Sequence, residues 1–359
     1  MSLLRIAIII DTLNGGGAEK VCLTLAKAIQ NEGAFVQLIV LKNKRDYALP
    51  EDINVHFLSE QSDLKLYKTK IQQALANSLQ CYIDGVGSFD LYLSNLDDCH
   101  QIVSILNPPN TYYVIHNSIE QTLKRLIKLG PFKYFRKKKA LGCLHGKNLI
   151  TVSKGLEEEL RTSRRIQANS LQTIYNPLDL AEIQTLALAP DSDIPEQPYI
   201  IHIGRFAKQK RHDVLFKTLQ TWQSPPCTLL LTKPSNKLER VVKRYQVSQY
   251  IRVLGFKQNP YALIRNAKAL VLCSDFEGFG VVLAEALACQ TPVVSTDCPH
   301  GPSELLSGSL SKYLVPCNSP EALKMALIKA MDNPEEFENA TVLPKLDMQN
   351  IAKQYLALV

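Results

Sequence analysis

Short apolar runs alternate with amphipathic stretches from Leu3 onward. Arg5 to Ile10, Phe35 to Leu41, Leu91 to Ser94, Tyr112 to His116 and Asn148 to Val152 are β-rich, and helical spacing of apolar positions fills the intervals between them. The alternation predicts a parallel, doubly wound α/β sheet, since parallel strands need crossover helices. A polar, proline-rich segment, Ala189 to Pro198, interrupts it and predicts a connector between two domains. The pattern restarts at Tyr199 to Gly204 and continues through Thr228 to Leu231, Ile251 to Leu254, Ala269 to Cys273 and Pro292 to Ser295. The expected organisation is a first domain over 1–180, a connector over 181–198, a second domain over 199–340, and a helical tail over 341–359 that packs back on the first.

Length and composition agree with two such domains. At 359 residues the chain exceeds one ordinary core, and 46% apolar with 21% charged residues describes a globular protein without a sustained bilayer-length apolar run. The opening Met1 to Ile10 lacks a basic leader and runs into Asp11, so it reads as a buried first strand rather than a secretory signal. Nine scattered cysteines without a Cys-x-x-Cys pair suggest reduced core residues in a cytoplasmic protein, not zinc or redox chemistry. A formal charge of +7 favours anionic partners: a nucleotide, a phosphorylated acceptor, a membrane surface or nucleic acid.

Candidate chemistry gathers at strand ends. Glu277-Gly-Phe-Gly-Val-Val-Leu-Ala-Glu285 follows an apolar strand, so Glu277 sits at a strand's carboxyl end, where open parallel sheets bind ligands and glycines allow close backbone approach. Glu285 lies two turns into an otherwise apolar helix, where a carboxylate needs a partner such as a ribose hydroxyl; a surface glutamate on an amphipathic helix is the bland alternative. Gly204-Arg-Phe-Ala-Lys-Gln-Lys210 also leaves a strand end: Arg205 can fork onto a phosphate and Lys210 can add a point charge, or both are solvated surface cations. Asn14 to Lys20 puts three glycines at a strand-to-helix turn, equally an anion cradle or a tight turn, and without the dinucleotide spacing. His116 ends another strand, positioned for a transition-state or acceptor contact. The segment Lys124 to Lys139, with Lys124, Arg125, Lys128, Arg136, Lys137, Lys138 and Lys139 among Leu126, Leu129, Phe132 and Phe135, suits an anionic membrane surface or acceptor, and equally a solvated helix face. It shows no nucleic-acid module.

In order along the chain, Gly15-Gly-Gly-Ala-Glu19, His116-Asn-Ser, Val152-Ser-Lys, Tyr175-Asn-Pro177, Gly204-Arg with Gln209-Lys210, Glu277-Gly-Phe-Gly with Glu285, and Gly301-Pro-Ser-Glu304 resemble the GT4 family of retaining glycosyltransferases. The resemblance implies a GT-B fold, two Rossmann-like domains facing a central cleft, and sugar transfer from a nucleotide diphosphate donor without metal or other cofactor. By position it implies Arg205 and Lys210 on the diphosphate, Glu285 on the ribose, Glu277 on the donor sugar, backbone contacts from Gly278, Phe279 and Gly280, Phe256 at the base, and Gly16 approaching the donor. It further implies same-face attack assisted by the leaving phosphate, so that Glu277 positions the sugar rather than attacking it. Three places depart from the family pattern: Leu229 to Ser235 lacks a Gly-x-Gly turn, Arg211 replaces the usual glycine, and Cys298-Pro-His-Gly-Pro replaces paired glycines.

The expected activity is transfer of a hexose or N-acetylhexosamine from a UDP-sugar, or a GDP-sugar, to a lipid-linked or lipopolysaccharide glycan. Such an enzyme would sit peripherally on the anionic inner face of the cytoplasmic membrane and bind no nucleic acid. A GT-B-fold sugar-nucleotide epimerase or hydrolase, and a non-catalytic nucleotide-sugar-binding protein, are the alternatives; the retained cations and carboxylates argue against the latter.

Overall fold

Ile6, Ala7, Ile8, Ile9 and Ile10 are all fully buried, as befits a strand covered on both faces. The structure, a computed structural model, describes residues 3–359; Met1 and Ser2, the start of the apolar N-terminal run, lie outside the described residues. Two units are present: the chain up to Leu178 together with Lys345–Val359, and Asp179–Pro344.

The first unit holds β1 (Arg5–Ile10), β2 (Phe35–Val40), β3 (Asn54–Phe57), β4 (Leu91–Asn95), β5 (Thr111–Ile115), β6 (Asn148–Thr151) and β7 (Ser170–Thr173). They form a parallel sheet in the order β3-β2-β1-β4-β5-β6-β7. The order reverses between β1 and β4, so connections leaving their carboxyl ends diverge and open a crevice there. After β1, helix Gly17–Asn31 buries Val21, Cys22, Leu25, Ala26, Ala28 and Ile29. Helix Met348–Leu356 packs against it and buries Ile351, Ala352 and Tyr355.

The second unit holds β8 (Tyr199–Ile203), β9 (Cys227–Leu231), β10 (Ile251–Val253), β11 (Ala269–Leu272), β12 (Val293–Thr296) and β13 (Leu314–Val315), ordered β10-β9-β8-β11-β12-β13. All its pairings are parallel. Here the order reverses between β8 and β11. The connector expected over 181–198 is partly a helix, Leu180–Ala187, which buries Ile183 and Ala187 and packs on helices Tyr261–Arg265 and Val281–Ala288 of the second unit. Its apolar residues recur at helical spacing ahead of the proline-rich stretch, which explains the difference. Three strands had no sequence expectation: β3, β7 and β13. Each is at a sheet edge and four residues or fewer in length, with β7 largely polar and β3 half polar, so the apolar run that marks a central strand is missing.

Candidate active site

The loops leaving β8 and β11 are tied together residue by residue. Lys210 Nζ donates to Glu277 Oε1 at 2.7 Å. Gln209 Nε2 donates to the Phe276 carbonyl at 2.7 Å, and the Asp275 N–H donates to the Gln209 carbonyl at 2.8 Å. Glu277 is only 7% exposed, so the ammonium supplies the counter-charge that a buried carboxylate requires. The Lys210 stem runs along Gly204, with its Cδ 3.4 Å from where a Cβ would stand. Arg205, on the same loop, is exposed.

Gly278, Phe279 and Gly280 are buried, and Gly280 (φ 86°, ψ 48°) caps helix Val281–Ala288 in the left-handed region. A second loop braces this turn from behind. The Glu277 N–H donates to the Pro299 carbonyl at 3.1 Å. Gly301, at φ +85°, lies so close that a Cβ there would meet the Phe279 carbonyl oxygen at 2.1 Å. Glu285, 7% exposed, accepts a hydrogen bond from Tyr261 Oη at 3.1 Å. The partner demanded by its burial is thus supplied in part by the protein itself. Phe256 is half-buried in the turn after β10, following Gly255 at φ +80°.

Beneath Lys210 two imidazoles are buried edge to face, His202 and His212, with ring centroids 4.5 Å apart. His202 Nδ1 lies 2.8 Å from the Val271 carbonyl, which accepts only, so Nδ1 carries the proton. Burial pulls His202 down to about 4 and His212 to about 2.

In the first unit, Gly16 caps helix Gly17–Asn31 without a side-chain cap, and its carbonyl accepts from Tyr47 Oη at 3.1 Å. The Glu19 carboxylate folds over the glycine turn, 2.2 Å from where a Cβ of Gly16 would stand, so the positive end of this helix already faces a negative charge. His116 Nε2 lies 2.8 Å from Asn95 Oδ1. The Asn95 amide donates to the carbonyls of Ile9 and Leu93, which fixes its orientation. His116 therefore donates through Nε2 and leaves Nδ1 basic. Burial, with His100 nearby, lowers its pKa to about 3, so the ring is neutral at physiological pH.

Sequence reasoning gave no site role to three polar groups that the fold brings to these places: Tyr261, Arg211, noted only as a departure from the family glycine, and Asp11, noted only as the end of the first apolar run. Asp11, at the end of β1, accepts the Cys99 N–H at 2.6 Å. Burial, then Asp98, raises its pKa well above the carboxylate range. An aspartate directly after a run of buried isoleucines was the available signal.

The basic segment forms helices Ile119–Ile127 and Pro131–Ala140 packed against each other. Ser118 and Glu159 cap the first: the Ser118 hydroxyl accepts from Gln121 N–H, and Glu159 accepts from Ile119 and Glu120 N–H. Lys124, Lys128, Arg136, Lys138 and Lys139 are exposed and Arg125 is half-buried. Ile127, Leu129, Phe132 and Phe135 are exposed too, Phe132 at 77%. Lys137 departs from the expectation of a free surface cation: its side chain is 14% exposed and paired with Asp97. Among the described residues no helix is long and apolar enough to cross a membrane, and no group of three or more His, Cys, Asp or Glu is placed to hold a metal ion.

The sequence pattern of the family Glycosyl transferases group 1 matches residues 188–342. The N-acetylgalactosamine-N,N'-diacetylbacillosaminyl-diphospho-undecaprenol 4-alpha-N-acetylgalactosaminyltransferase of Campylobacter jejuni is 27% identical over 333 residues, 90% of this chain and 89% of its own. The lipopolysaccharide 1,6-galactosyltransferase of Salmonella typhimurium is 28% identical over 177 residues, 46% of this chain and 47% of its own. Among solved structures, Anabaena HepE in complex with UDP-glucose aligns with a TM-score of 0.75 at 16% identity, covering 99% of this chain and 98% of that one. Two parallel-sheet α/β domains with this likeness define the GT-B fold. The chain is a nucleotide-sugar-utilising glycosyltransferase, related to the GT4 enzymes and to sugar transferases of lipopolysaccharide type.

Gly301→Ala is expected to push Phe279 and the Glu277 turn apart and to lower kcat/KM by at least about tenfold while circular dichroism stays native; wild-type kinetics would show that the turn yields freely. The buried imidazoles of His100, His116 and His202 set an acid limit. As pH falls below 6.5 the unfolded chain takes up protons on these rings, whereas the folded protein resists until about 4 or lower. Stability is thus full above that range and is lost on acidification, at ~1.4 kcal/mol per pH unit for each ring. Thermal melts from neutral pH down to about 4 should show Tm falling steadily, and a flat profile would contradict the burial of neutral rings.

Proposed function

We propose that the chain is a retaining, metal-independent transferase that moves a hexose or N-acetylhexosamine from a UDP-sugar to a lipid-linked or lipopolysaccharide glycan at the inner face of the cytoplasmic membrane. The observation that carries this is the Lys210–Glu277 pair at the reversal point of the second sheet, a place built to receive a charged ligand. Arg205 and Lys210 bind the diphosphate, Glu277 the hydroxyls of the donor sugar, and Glu285 the ribose. Gly278, Phe279 and Gly280 offer backbone groups to sugar and phosphate. Phe256 lies against the base, and Gly16 approaches the donor from the first unit. His116, neutral and fixed by Asn95, contacts the reacting sugar or the acceptor.

In this scheme the anomeric carbon–oxygen bond to the diphosphate breaks as the acceptor hydroxyl attacks from the same face. The hydroxyl proton passes to the departing phosphate oxygen. Negative charge grows on the leaving group, and fixed cations and backbone N–H groups stabilise it without reorganising. The UDP donor is supported by the UDP-glucose complex of Anabaena HepE. A lipid-linked acceptor is supported by the names of the Campylobacter and Salmonella relatives. Placement at an anionic membrane is supported by the exposed apolar side chains and cations of the hairpin over 119–140.

A panel of UDP- and GDP-sugars assayed in EDTA, with the anomeric configuration of the product read by NMR, tests the donor, the stereochemistry and the absence of a metal requirement together. Lys210→Ala removes a phosphate contact and leaves Glu277 without its counter-charge; kcat/KM should fall by roughly two orders of magnitude, and wild-type turnover would sink the assignment. Replacing Lys128, Lys138 and Lys139 with Gln should weaken partition onto vesicles containing anionic lipid by at least about tenfold at low salt, with donor KM unchanged. Equal partition would reduce the hairpin to a solvated surface.

A further inference from the structure

Arg211 adopts φ 46° and ψ 45°, the left-handed region that penalises any residue with a Cβ. Its guanidinium is nearly saturated. Nε and Nη2 grip Asp213 at 3.0 and 2.9 Å, Nη1 donates to Asp275 Oδ1 at 2.7 Å, and Nη2 donates to Asn318 Oδ1 at 2.7 Å. A fork whose charge is answered by two carboxylates has little left for a phosphate. What it joins is more telling. Arg211 follows Lys210 on the loop after β8, Asp275 precedes Glu277 by two positions on the loop after β11, and Asn318 follows β13.

We propose that Arg211 is a positioning residue of the donor site, fixing the register between the loop that carries Lys210 and the loop that carries Glu277. The inference rests on the donor roles proposed above for those two residues. A diphosphate that engages Lys210 competes with Glu277 for the same ammonium, so the 2.7 Å pair loosens when the donor enters. The ties from Arg211 to Asp275, and from Gln209 to Asp275 and Phe276, do not involve the ligand and keep the loops in step meanwhile. The Arg211 side chain is 19% exposed, but its carboxylate partners Asp213 and Asp275 are 45% and 40% exposed and can turn to water when the guanidinium is removed. Ion pairs of that exposure add little stability, so the network matters for geometry more than for the melting point.

Arg211→Gly is the informative variant, since glycine accepts the left-handed backbone without strain. The expected result is a Tm within about 2 °C of wild type, amide exchange at Asp275 and Glu277 faster by about tenfold, and a donor KM at least about fivefold higher with a smaller change in kcat. Asp275→Asn should reproduce these effects, and the double variant should be no worse than either single one. Unchanged exchange at both amides, or an unchanged KM for a donor that the wild-type enzyme uses, overturns the proposal. So does an activity loss that merely follows a fallen Tm and recovers on cooling the assay. The exchange measurement needs no donor, so the clamp stands or falls on it even if wild-type protein binds no nucleotide sugar, an outcome that would sink the proposed function instead.

Discussion

A carboxylate with 7% exposure at the end of a buried parallel strand is tolerable only beside a cation, and Glu277 has Lys210 at 2.7 Å. Removing one partner of such a pair typically costs about 3–5 kcal/mol, because the other charge stays buried and unanswered. The pair can exist only because β8 and β11 are sheet neighbours, although two strands and their helices separate them along the chain. Sheet order, burial and charge thus constrain one another. The surrounding turn is packed to the same end, with Gly301 pressed against Phe279 and the Pro299 carbonyl holding the Glu277 N–H.

The reversal points of the two sheets differ in electrical character. In the second unit Lys210 meets the buried Glu277, and Glu285 accepts from Tyr261. In the first, burial, then Asp98, Asp97 and Glu19, raises Asp11, while Asp97 itself is paired with Lys137.

Central strands were legible in the sequence because burial on both faces demands unbroken apolar runs such as Ile6 to Ile10. β3, β7 and β13 escaped because short peripheral strands can be polar and still pair. Glu277 and Glu285 stood out as carboxylates beside apolar runs, and Lys210 as a cation following a strand end. Their partners did not. Tyr261 meets Glu285 and Arg211 meets Asp275 across long sequence separations, and no local pattern encodes such meetings. The protonation of His116 was equally hidden, since it follows from the orientation of the Asn95 amide and from burial.

The first unit is not continuous in sequence. Helix Met348–Leu356 completes the packing of helix Gly17–Asn31, and Leu178 is joined to the returning chain by backbone hydrogen bonds to Leu346 and Met348. During synthesis, therefore, the first seven strands emerge long before the helix that packs on Gly17–Asn31. Until Asp179–Pro344 has been made, the surface on which that helix packs has no native cover. The cost of bringing the last helix back falls if the intervening unit has already collapsed, because a compact body delivers its two ends to nearly the same place, whereas a disordered chain of that length would scatter them. The order in which the ribosome releases the chain thus makes the second unit a folding aid to the first, and leaves the nascent first unit in need of protection while it waits.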